Sequence, residues 1–201
     1  MTEFDITTVK DFRNIDICEA MFNQIGNTLD KSWQRTIAKD KEHSFGVVEK
    51  NGELTPTDVH EGERREVPKK INEKVYDEMI SIAAVDRKEQ SESMRLHSLH
   101  THPADAAYQF SIQDYKSMIL RTGRSVSVDS SLVLTSLGEK MSIYGYEVEG
   151  RYLPSDERER MMDRVDELEI MILEGDIGHE RARYEIYKEV TQSFNECHFI
   201  V

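Results

Sequence analysis

The stretch from Met94 to Arg121 does most to restrict how this chain folds. Residues Met94 to Thr101 read as a strand, and Pro103 ends it because proline has no N–H to give to a ladder. Ser111 is a natural N-cap, with Asp114 three residues later at a position that favours a helix start. Tyr115, Met118 and Ile119 then recur at helical spacing up to Arg121. A strand passing through one loop into a capped helix is the unit from which helix-covered sheets are assembled. The expectation is therefore an α/β (α+β) chain with a mixed β-sheet flanked by helices.

The flanking segments extend this pattern. Ile15, Cys18, Met21, Phe22 and Ile25 lie on one helical face within Ile15–Thr28, and the helix continues, broken at Gly26, toward Trp33 and Ile37. Asn51-Gly52 separates the apolar run Phe45–Val48 from Leu54–Val59, the strongest short signal for a β-hairpin. Ile71, Val75, Met79, Ile80 and Ala83 mark a second helix within Pro68–Arg87. Two further strands flank a turn at Gly138. After Pro154, Met162, Val165 and Leu168 (or Ile172), then Ala182, Ile186 and Val190, mark two helices parted by Gly175 and Gly178. This reads as a C-terminal helical hairpin over residues 151–201, appended to a core over 1–150.

Composition narrows the function classes. The 201 residues carry a formal net charge of −13, whereas nucleic-acid binders present a basic face and anionic membranes attract basic segments. Neither partner is expected. The chain has 2 cysteines, Cys18 and Cys197, too few and too far apart for a disulfide framework or a cysteine zinc knuckle. No apolar run approaches membrane-spanning length, and the first residues show no apolar signal core. A soluble, cytoplasmic protein is expected.

Chemistry concentrates in "LHTHPADAAYQFSIQD". Residues two apart on a strand share a face, so His100 and His102 project together and His97 points away. Two imidazoles so placed can chelate zinc, with nitrogens about 2.0–2.1 Å from the metal. Asp114, in the first turn of the next helix, offers a carboxylate. Two histidines and one carboxylate leave a position open for water, the pattern of a catalytic zinc. Each part taken singly has a plainer reading: Ser-x-x-Asp is an ordinary helix cap, and His-x-His alone specifies little.

Taken together, His100-Thr101-His102-Pro103 and Ser111-Ile112-Gln113-Asp114 resemble the His-x-His-Pro…Ser-x-x-Asp motif of the JAMM (MPN+) zinc isopeptidases. The order of elements from about Ile15 to Glu149 is similar too. Eight residues part His102 from Ser111, one more than is usual in that family. The family's glutamate stands three residues before a glycine in an early strand. His43 has that place before Gly46, so the resemblance assigns the base to Glu42, one residue earlier, and requires a bulge; Glu49 is the other candidate.

The resemblance implies an MPN/JAMM (cytidine-deaminase-like) fold, with the catalytic domain at 1–150 and a C-terminal helical extension at 151–201. It implies zinc held by His100, His102 and Asp114, with Glu42 as proton acceptor and Ser111 beside the oxyanion. The implied substrate is a ubiquitin-like protein or its conjugate, with the tail laid along a strand edge. Two other readings stand beside it: a hydrolase of the same fold acting on a small peptide or amino-acid precursor, and a non-catalytic scaffold. The C-terminal helices are expected to cover the core, to pair two copies of the chain or to hold a partner in a complex.

Overall fold

The computed structural model describes residues 15–64, 66–85, 94–103, 110–122, 128–137, 140–148 and 153–200. The first element, α1 (Ile15–Lys39), buries Ile17, Met21, Ile25, Leu29 and Trp33 along one stripe. The break expected at Gly26 falls one residue earlier, where Ile25 leaves helical geometry at φ −122° and ψ 20°. The buried stripe then turns toward Ser32 and Thr36, which leaves Ile37 half exposed.

The hairpin forms as read. Strands β1 (His43–Lys50) and β2 (Glu53–Pro56) meet at Asn51 and Gly52, whose φ values of 53° and 78° are both positive. That geometry is a two-residue type I′ turn, which matches the twist of the strands it joins. The second run ends at Pro56 rather than Val59, and a two-residue strand β3 (His60–Glu61) pairs separately with β1. Helix α2 (Lys69–Val85), β4 (Met94–Thr101), α3 (Ile112–Arg121), β5 (Ser130–Leu137) and β6 (Lys140–Val148) follow in the expected order. Gly138, where a turn was expected, and Arg87, the expected end of α2, lie outside the described residues.

Seven strands make one sheet, in the order β2-β1-β4-β5-β6-β7 with β3 also on β1. Only β4 and β5 run parallel; every other described pair is antiparallel. One face packs Phe45, Val47, Leu99, Leu132, Leu134 and Ile143 against α1. The other face is covered in two halves. Helix α2 lays Val75, Met79 and Ala83 on Val48 and Leu96. On the far half, α3 joins α4 (Ser155–Glu174) and α5 (His179–Val190) over Val133, Tyr144, Tyr146 and Val148. The gap between α2 and α3 leaves the C-terminal end of β4 uncovered.

Residues 153–200 are knit into this core. Met161, Val165, Leu168, Ala182, Ile186 and Val190 share one cluster with Phe110, Tyr115 and Tyr146 from the body of the chain. Met161 is fully buried, and the expected Met162 packs partly buried against the same cluster. Beyond the helical hairpin comes an element the sequence pattern does not announce. Strand β7 (Phe194–Ile200) pairs antiparallel with β6 from Val148↔Phe194 to Ser142↔Ile200.

The close approach of β5 and β6 gives a direct stability test. A Cβ on Gly145 would stand 2.2 Å from the Ser131 carbonyl oxygen and 2.8 Å from the Leu132 Cα, both backbone atoms that cannot step aside. Gly145→Ala is expected to destabilise the fold by about 1–3 kcal/mol, as overpacking does. The measurement is the denaturant midpoint, which should fall with little change in slope.

Candidate metal centre

Strand β4 carries His100 near its end, and His102 follows immediately after it. The His102 N–H donates to the Leu134 carbonyl at 2.9 Å, which extends the parallel pairing of β4 and β5 past the last strand residue. His100 and His102 consequently share a face, as alternation requires. Asp114 comes from α3, held by a reciprocal cap. The Asp114 N–H donates to Ser111 Oγ at 3.2 Å, and Asp114 Oδ2 accepts from the Ser111 N–H and from its hydroxyl, each at 2.7 Å. The plain reading of Ser-x-x-Asp as a cap is thus realised, and the same cap aims the carboxylate.

What fixes α3 over the sheet is aromatic packing. Phe110 is fully buried, with its ring 5.2 Å from Tyr146 and edge-on to it. The Tyr115, Tyr146 and Tyr144 hydroxyls form a chain at 2.8 and 2.6 Å. This pins the first turn of α3 against β6 and so sets where Asp114 sits.

The three side chains converge. His100 Nε2 lies 3.0 Å from His102 Nε2 and 3.1 Å from Asp114 Oδ1, and His102 Nε2 lies 3.5 Å from Asp114 Oδ2. For a tetrahedral ion with bonds of about 2.0–2.1 Å, donor atoms stand about 3.3 Å apart. The observed separations are near that value, with the carboxylate meeting His100 through Oδ1 and His102 through Oδ2. Protons alone satisfy the cluster poorly, since two Nε2 atoms face each other and one carboxylate. A cation accepts a lone pair from all three, so the donor set fits a metal. Among the described residues this is the one group of three such side chains close enough to share an ion.

The electrostatics suit that use. Burial lowers the His100 pKa, opposed by the facing Asp114, and so favours the neutral imidazole that can offer a lone pair. Burial works to raise the Asp114 pKa, but the facing imidazoles of His100 and His102 and their hydrogen bonds prevail and hold it well below the usual range. The carboxylate stays ionised.

Glu42 lines the same groove. It immediately precedes β1 and follows that strand's alternation onto the face of Ser44, the residue opposite His100. The bulge that the resemblance required is not needed. Its N–H donates to the Glu63 carbonyl and its carbonyl accepts from the Gly62 N–H, both at 2.8 Å, so the backbone is held on both sides. Burial pushes the Glu42 carboxyl up to about 8, opposed by His102 and assisted by the Asp114 and Glu66 carboxylates. A carboxyl poised near neutrality beside a cluster of donor atoms is suited to moving protons.

Glu49 lies elsewhere. It is on the α1 face of β1, with its Oε2 3.1 Å from His97 Nε2, while His97 Nδ1 lies 2.8 Å from Ser130 Oγ. A serine, a histidine and a glutamate in series suggest nucleophilic chemistry, but His97 is 0% exposed and Ser130 2%. None of the three lines the groove, and the set ties β1, β4 and β5 together. Glu66, Arg121 and His179 also reach the groove. Glu66 and His179 arrive from segments distant along the chain, whereas Arg121 stands on α3 two turns beyond Asp114, and nothing in their local sequence marks any of them.

The groove encloses 1080 Å³ between the start of α2 and one side of α3, with His100, His102 and Ser131 on its floor. Fold and site together define a mixed α/β protein with a candidate His/His/Asp metal centre in an open groove. Comparison with protein-family models, with curated proteins and with solved structures gives no significant match. No described helix is long and apolar enough to cross a membrane.

Proposed function

We propose that this chain is a zinc-dependent hydrolase of peptide or isopeptide bonds, with an MPN/JAMM-type fold and a ubiquitin-like protein or its conjugate as substrate. The observation that carries the reading is the convergence of His100, His102 and Asp114 in one groove with Glu42 and Ser111. Bound there, zinc would supply Lewis acidity toward water and toward a carbonyl oxygen. Glu42 takes a proton from the attacking water and returns it to the departing amine, which for an isopeptide is a lysine side chain. The Ser111 hydroxyl rotates between Asp114 and the oxygen on which negative charge develops. The paucity of cysteine fits a reducing, cytoplasmic setting.

The deciding experiment is metal analysis of the purified protein, followed by digestion of a ubiquitin-like fusion with and without chelator. About one zinc per chain and cleavage after the fusion's C-terminal tail, lost with chelator and restored by zinc, support the reading. A chain that takes up no metal, or cleavage indifferent to chelator, overturns it.

Ser111→Ala separates capping from chemistry. Loss of the cap should lower stability by about 1 kcal/mol. Loss of an oxyanion donor should lower turnover by about 10²-fold or more with zinc retained. A lower melting temperature with turnover intact would leave Ser111 as a cap alone.

A further inference from the structure

A second concavity adjoins the metal groove. It lies where the first turn of α3 meets the end of α4 and the start of α5, encloses 570 Å³, and shares Ser111, Gln113 and His179 with the groove. Its apolar wall is Ile112, Ile172 and Leu173. Leu173 is 87% exposed, the most exposed of the large apolar side chains among the described residues. Packing of α4 does not call for it, since Met161, Val165 and Leu168 form the buried stripe with Ile172 packed partly against it.

The notch is built to stay open. Gly175, at φ 82°, ends α4: its N–H donates to the Ile172 carbonyl and the Asp176 N–H to that of Met171. This paired closure stops the helix abruptly and holds Leu173 at its rim. Gln113 Nε2 donates to Glu169 Oε1, and Lys116 Nζ donates to Glu169 Oε2 and to Asp166 Oδ1, which tie α3 to α4. The apolar wall formed by Ile112, Ile172 and Leu173 thus stands fixed beside the metal groove, where an apolar side chain could rest on it.

We infer that this notch seats a bulky apolar side chain of the polypeptide whose neighbouring bond lies over His100, His102 and Asp114, making Leu173 and Ile112 specificity-determining residues. The occupant is the substrate chain because Ser111, Gln113 and His179 border both concavities, so a segment leaving the groove past them reaches the notch. The inference rests on the hydrolase reading for what happens to that chain. The selection of an apolar side chain can be read without turnover.

The test is panning of a random-peptide library on the full-length, zinc-treated Glu42→Gln protein, with Leu173→Glu in the same background as the comparison. Kinetics of the otherwise unaltered enzyme with and without Leu173→Glu follow on the selected sequences. Selected peptides should carry a bulky aliphatic or aromatic residue at one fixed position. Leu173→Glu should weaken binding by about tenfold or more, the scale of a lost leucine contact, and raise KM with kcat little changed. Its exposed position makes it compatible with folding, and unchanged metal content and melting temperature check this. Selection of apolar residues without hydrolysis of any substrate would sink the hydrolase reading and keep the notch. Hydrolysis with no apolar preference, or with one that Leu173→Glu leaves untouched, would sink the notch and keep the hydrolase. A dimer that Leu173→Glu converts to monomer would also overturn it, since a second copy would then be the occupant.

Discussion

Alanine at His100, His102 or Asp114 is expected to abolish zinc binding at micromolar metal and, with it, hydrolysis. Each residue supplies one donor atom, and among the described residues no other group of three such side chains lies close enough to share an ion. Losing a mere hydrogen-bond partner of a zinc ligand costs about 10–100-fold in affinity. Losing a ligand itself should cost more, because two donors no longer define a site. His97→Ala is the contrasting case. His97 is buried on the α1 face against Ser130 and Glu49, so the variant should keep its zinc. It should lose about 1–3 kcal/mol of stability through the polar partners left unsatisfied. Metal content by elemental analysis and the unfolding midpoint read the two effects separately. Stoichiometric zinc in the His100→Ala/His102→Ala double variant would end the metal-centre reading.

Glu42→Gln is expected to retain fold and zinc while losing about 10²–10⁴-fold in turnover, the range contributed by a positioned general base. The amide matches the carboxylate in shape but cannot accept the proton. The substitution has a second signature that needs no substrate. In the metal-free protein the Glu42 pKa rises from 4.5 to about 8 on folding, chiefly through burial. An acid shifted upward holds its proton longer in the folded chain. Its contribution is therefore fully present below pH 4.5 and is lost as pH climbs through about 8. Metal-free Glu42→Gln should match the unsubstituted protein near pH 4.5 and grow more stable than it toward pH 8, by up to about 4 kcal/mol. With a divalent cation held by the neighbouring cluster, positive charge favours the carboxylate, and the difference should shrink. Glu49→Gln should leave turnover nearly unchanged, since Glu49 faces α1. A pH-independent stability difference would show that Glu42 is not desolvated, and intact turnover would remove it from the chemistry.

Much of this architecture is legible residue by residue. The Asn51-Gly52 turn, the stripes of α2, α3 and α5, and the β4–Pro103–Ser111 passage rest on local chemistry: a positive φ, a helical period, a missing N–H, a side-chain cap. Such features act over a few residues, so a linear reading finds them. The shared face of His100 and His102 is of the same kind, because strand alternation is a local rule. So is the opposition of Glu42 and Glu49, which an unbulged β1 sends to different faces.

What the sequence determined by itself, then, is the set of elements and the chemistry each can present. The tertiary structure decided which of them meet. "SFNECHFI" has no clean alternation, and β7 exists because the free edge of β6 offers backbone partners to a segment with few other claims. Residues 153–200 read as an extension because their apolar stripes name no target, and the stripes find theirs in Phe110, Tyr115 and Tyr146. The pKa of Glu42 depends on burial and on Asp114 and Glu66, neither adjacent in sequence. The notch at Leu173 depends on where α4 stops relative to α3. Contacts between residues dozens of positions apart are set by the packing of whole elements, and a spacing rule that spans a few residues cannot carry that information.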